Sequence, residues 1–96
     1  MRVTLRQGKI EDLPYIIETW VGQATRHGIR AQHVKPTAIH RLKTSAVTVA
    51  CLPDDEDAII GYGVFEAGRV HMLYVRSSAR RLGVANAILK GIKPWQ

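Results

Sequence analysis

The chain has 96 residues, 46% of them hydrophobic, and a formal net charge of +6. That length accommodates one domain with one core and leaves little room for anything else. The single cysteine, Cys51, excludes an internal disulfide, and no apolar run approaches a signal-peptide core or a membrane span, so the expectation is a soluble, cytoplasmic protein.

In chain order, Val3 and Leu5 alternate with Thr4 and Arg6, which predicts a short first strand. Leu13, Ile16, Ile17, Trp20, Val21 and Ala24 form a one-sided helical stripe. Glu11 and Asp12 sit near its start, and Pro14 is tolerated only close to the first turn. Trp20 belongs to the core side of that stripe. Arg26 to Lys35 is basic, contains Gly28 and lacks periodicity, so it is expected to be a loop carrying solvated His27, Arg30 and His33. Pro36 then opens a second, short helix with Ala38, Ile39 and Leu42 facing inward.

Val47 to Leu52 is rich in β-branched residues and is expected to be the second strand, with Cys51 a buried, inert thiol. Pro53 to Asp57 is an acidic turn. Ala58 to Phe65 is the third strand, in which Gly61 and Gly63 mark a bulge or close packing. Ala67-Gly68-Arg69 turns the chain into a fourth strand, Val70 to Val75, and Val84, Ala85, Ile88, Leu89 and Ile92 carry the period of a last helix. The order β-α-α-β-β-β-α describes a single domain over residues 1–96. Its fold class is an α/β (α+β) layered sandwich, helices flanking a mostly antiparallel sheet.

Charge is unevenly placed. Asp54, Asp55, Glu56 and Asp57 are half of the eight acids, and no acid follows Glu66. Six basic residues do: Arg69, Arg76, Arg80, Arg81, Lys90 and Lys93. Such a field suits a phosphate-bearing ligand, and a nucleic acid would like it equally, although no nucleic-acid motif is present. The segment Arg80-Arg81-Leu82-Gly83-Val84-Ala85 links the fourth strand to the last helix. There the first helical N–H groups lack intrahelical partners, the macrodipole is positive, and two guanidinium groups supply forked donors. Gly83 lets an anion approach the backbone.

The run from Ile59 to Glu66, then Val70 to Val75, then Arg80 to Ala85 resembles the acetyl-CoA-binding core of the GNAT N-acetyltransferase superfamily. Arg6 followed by Asp12-Leu13-Pro14 resembles the usual opening of these proteins. The resemblance implies that backbone groups of Leu73, Tyr74 and Val75 line the pantetheine arm of acetyl-CoA, while Arg80, Arg81, Gly83, Val84 and Ala85 cradle its phosphates. It also implies acetyl transfer to an unidentified amine, with the connection between the first two helices, His27, Arg30 and His33, bordering the acceptor; no metal is implied.

Where many family members place a carboxylate at the start of the fourth strand, this sequence has Arg69. His71, two residues on, is the residue type able to take a proton near neutrality, and Glu66 is an alternative. Family members continue with a fifth strand and more, whereas this sequence ends at Lys93-Pro94-Trp95-Gln96. A chain shortened there leaves the fourth strand as an open edge. The expected partner is a second copy (a homo-oligomer) or another protein covering that edge, with Trp95 as an interface anchor or a tethered core residue. An alternative is a catalytically inactive GNAT-fold module used for assembly or binding. The length and opening also resemble short GNAT-like proteins of tailed bacteriophages, which would imply a virion-associated or host-modulating role. A small nucleic-acid binder is the third alternative.

Overall fold

The computed structural model describes residues 1–91; the expectations for Ile92, Lys93 and Trp95 lie outside the described residues. Strand β1 spans Thr4–Gln7, helix α1 Leu13–Arg26, α2 Ala31–Thr44, β2 Ala46–Leu52, β3 Asp55–Glu66, β4 Arg69–Val75 and α3 Val84–Gly91. Single 3-10 turns, Ile10–Asp12 and Ser77–Ala79, precede α1 and α3. The sheet order is β1-β2-β3-β4, with every neighbouring pair antiparallel. The chain is thus a small α+β domain, and its elements follow the expected order. Among the described residues no helix is long and apolar enough to cross a membrane.

The alternation in β2 and β4 divides the core between two faces. Val49, Ile59, Tyr62 and Val64 pack with Ile16 of α1, joined by Tyr15, Trp20, Leu42, Met72 and Tyr74. On the other face, Ala50 and Ile60 pack with Ala79 and with Val84 and Ile88 of α3, joined by Leu73 and Val75. Ile59 and Ile60 serve opposite faces by strand alternation, while Ala50 pairs with Gly61 but Cys51 pairs with Ile59, so that Ile60 is the extra residue of a bulge and shares the α3 face with Gly61. Gly61 beside it is required by space: a Cβ there would lie 2.6 Å from the Tyr74 carbonyl oxygen and 3.3 Å from Ile88 Cδ1. Full burial of side chains such as Ile16 and Ile88 contributes about 1.5–3 kcal/mol each.

Two boundaries differ from the sequence expectation. Residues 31–35 are helical, so Pro36 lies inside α2 and does not open it. Val34, Ala38 and Leu42 recur every four residues across the proline; Val34 and Ala38 are buried and Leu42 packs on the core, and that shared packing outweighs the missing hydrogen bond at exposed Pro36. The true connection is His27 to Arg30, with Gly28 at φ 85° closing α1. The acidic run is also less of a turn than expected, since β3 already begins at Asp55.

The N-terminal strand is tied to the helix layer by an ion pair. Arg6 Nη1 donates to Asp12 Oδ2 at 2.7 Å and Nη2 to Oδ1 at 2.9 Å, a forked geometry with little exposure of either side chain. Arg6 also donates to the Glu56 carbonyl from Nε at 3.2 Å and Nη2 at 2.9 Å, and the Lys9 N–H donates to Asp12 Oδ2 at 2.8 Å. The Arg6 guanidinium, followed by the Lys9 N–H, holds the Asp12 carboxyl below the usual carboxylate range. Cys51 is buried, as expected, with Sγ 3.5 Å from the Thr4 carbonyl oxygen.

Candidate functional site

β4 pairs with β3 on one side, and among the described residues no strand lies on its other side. The Arg76 N–H donates to the Ile60 carbonyl at 2.9 Å. Antiparallel alternation from that bond turns the N–H and C=O groups of Tyr74 and Met72 toward β3 and those of Leu73 and Val75 toward the open edge. The Val75 carbonyl accordingly accepts Arg80 Nε at 3.1 Å. The Leu73 and Val75 side chains pack on the α3 face. Tyr74 points to the opposite face, where its ring stacks on Tyr62 at 5.3 Å and meets Tyr15 edge-on at 6.3 Å.

Beyond β4 the chain passes through Ser77–Ala79 and a turn before α3. Arg81 and Gly83 both have positive φ, 69° and 83°, and the space beside Gly83 is empty. Glycine adopts that conformation freely, while for an arginine it costs on the order of 1 kcal/mol. The Gly83 carbonyl accepts the Ala87 N–H at 3.0 Å and so begins the helix. The N–H groups of Val84, Ala85 and Asn86 find no acceptor among the described residues. Around this turn is a recess of about 200 Å³ lined by Val75, Ala79, Arg80, Arg81, Gly83, Val84, Ala85 and Asn86. Of the eight residues singled out for ligand contact, six therefore share one recess. Leu73 lies farther along the strand and Tyr74 faces away. Val84 is 1% exposed and belongs to the core, so only its backbone is available to a ligand.

His71 lies at the other end of β4. Val64 pairs with Met72 but Phe65 pairs with Val70, which makes His71 the extra residue of a second bulge. Its side chain is 8% exposed, with Nε2 3.3 Å from Glu66 Oε1. His27, Arg30 and His33 are exposed. No cluster suited to a metal ion is found among the described residues.

Sequence reasoning missed the α1 side of the β4 terminus. Thr19, Gly22, Gln23 and Arg26 recur at helical spacing beside the apolar stripe and, with Tyr74, Ser77 and Arg80, line a second recess of about 130 Å³. Arg76 is fixed nearby by donation from Nε to the Tyr15 hydroxyl at 3.4 Å. The polar 19-22-23-26 spacing was the legible signal; that it faces the strand end depends on tertiary packing.

The fold is similar to the solution structure of the apo form of YjaB from Escherichia coli, with a TM-score of 0.70 and 16% identity over 95% of this chain. The chain spans 64% of that protein's length. No protein-family model and no curated protein matches the sequence. At that identity the likeness establishes a common fold and leaves function to the chemistry of the site.

Proposed function

We propose that this chain has the GNAT core topology, binds acetyl-CoA and transfers its acetyl group to an amine. The observation that carries the proposal is the convergence of Val75, Arg80, Arg81, Gly83, Val84 and Ala85 on one recess at the end of β4, beside helix N–H groups that find no acceptor among the described residues. The pyrophosphate accepts from these N–H groups and from Arg81, and the pantetheine arm pairs with the outward backbone of β4. Four residues of strand, about 13 Å, separate Val75 from His71, so the thioester comes level with the β4 bulge. The neutral amine nitrogen attacks the thioester carbonyl, a C–N bond forms and the C–S bond breaks. His71 takes the amine proton and the coenzyme leaves as thiolate.

A second reading, a GNAT-fold module that binds without turnover, is favoured by the near-complete burial of His71 against Glu66. It is also favoured by the β4 edge, unpaired among the described residues, which a second copy or another protein would cover. The test is release of coenzyme thiol from acetyl-CoA over a panel of primary amines. Amine-dependent release supports transfer; coenzyme binding without release supports the module.

A further inference from the structure

We propose that the recess on the α1 side of the β4 terminus is an oxyanion site for a phosphate monoester or inorganic phosphate, separate from the recess at α3. Its donors come from two elements, Gln23 and Arg26 from α1 and Ser77 and Arg80 from the turn after β4, with Tyr74 of β4 in the wall between them. None of the Gln23, Arg26 or Ser77 side chains makes a hydrogen bond among the described residues, whereas the Thr19 hydroxyl is already committed to the Tyr15 and Ile16 carbonyls and to Tyr62. Arg80 is oriented by its Nε bond to the Val75 carbonyl, which leaves its terminal nitrogens free to fork onto an oxyanion.

The charge balance is one-sided. Ion pairs among the described residues join Arg6 to Asp12 and Lys9 to Glu56, and Glu66 faces His71, so neither Arg26 nor Arg80 has a carboxylate partner there. No acid lines the recess. Glu18, one turn ahead of Gly22 on α1, is exposed and pairs with neither arginine. Burial, the larger effect, and then a hydrogen bond with Tyr15 raise the Tyr74 phenol above its ordinary range, so Tyr74 stands in the wall as a neutral side chain. The recess, about 130 Å³, has room for one phosphoryl group. The site stands whether or not acetyl-CoA occupies the α3 recess, because the two share only Arg80.

The experiment is titration of the isotope-labelled protein with inorganic phosphate, followed by amide shifts. The expected result is saturable movement of the Gln23 side-chain amide and the Ser77 backbone amide at millimolar phosphate. Arg26→Gln weakens that binding roughly tenfold or more, and Arg81→Gln leaves it unchanged. Absence of movement, or equal weakening by Arg81→Gln, overturns the proposal. Coenzyme A and its 3′-dephospho form separate the sources. Movement with phosphate and with coenzyme A, but not with its 3′-dephospho form, assigns the anion to the nucleotide's 3′-phosphate, and movement with phosphate but neither coenzyme assigns it to a separate small molecule.

Discussion

Arginines at the two opposite edges of the sheet have opposite surroundings. On β1, Arg6 is saturated: a carboxylate takes two of its donors, a backbone carbonyl takes two more contacts, and the side chain is 14% exposed. Past β4, Arg80 and Arg81 have no carboxylate partner among the described residues, and Arg81 is held at a φ that side chains rarely adopt. The acids explain the difference. Asp12 and Glu56 lie beside the first edge, whereas no acid follows Glu66 in the sequence. A cation paired at two oxygens acts as a structural clamp. One without a carboxylate partner, beside helix N–H groups and a recess, is suited to a ligand.

The sharpest way to break this contrast is to exchange stability readouts. Asp12→Ala leaves Arg6 without its partner and is expected to lower unfolding free energy by about 3–5 kcal/mol in a denaturant titration. Arg81→Gln should change it by no more than about 0.5 kcal/mol; a loss as large as that of Asp12→Ala would make the turn arginine structural. Next in size, His71→Ala should slow acetyl transfer by about a hundredfold while leaving coenzyme affinity intact. Undiminished turnover would remove His71 as the base.

Gly61→Ala, placed where a Cβ meets the Tyr74 carbonyl and Ile88, should cost about 1–3 kcal/mol and loosen α3 from the sheet. The smallest effect is in acid. Folding lowers the Asp12 pKa, so the folded state binds that proton more weakly than the unfolded chain does. Its stabilisation is complete above the ordinary carboxylate range, near pH 4, and is lost as pH falls through the lower folded value. Asp12→Asn should remove that part of the acid transition; an unaltered acid limb would show that the clamp does not set it.

Much of the architecture was legible because local pattern and tertiary role agree. The stripe from Leu13 to Ala24 is a helix, the β-branched run before Leu52 is a strand, and the glycine at 61 marks a bulge. The start of α2 was hidden because a basic segment with a later proline looks like a loop until Val34 is seen to share a buried face with Ala38. The strand-turn-helix recess was legible as a contiguous motif. Its neighbour on the α1 side was not, since Arg26 and Arg80 are 54 positions apart and only the packing of α1 beside the β4 terminus brings them together. The Arg6–Asp12 pair was visible as two residues of an opening pattern, without any sign that each saturates the other.

The most direct measurement is calorimetric titration of acetyl-CoA into the wild-type protein and into Arg81→Glu, each first shown to unfold at the same denaturant concentration. Micromolar binding by the wild type that weakens at least a hundredfold in Arg81→Glu is the predicted result, equivalent to roughly 2.7 kcal/mol of lost affinity. Equal affinity in both proteins, or no binding at millimolar coenzyme, would contradict a phosphate site at the turn before α3.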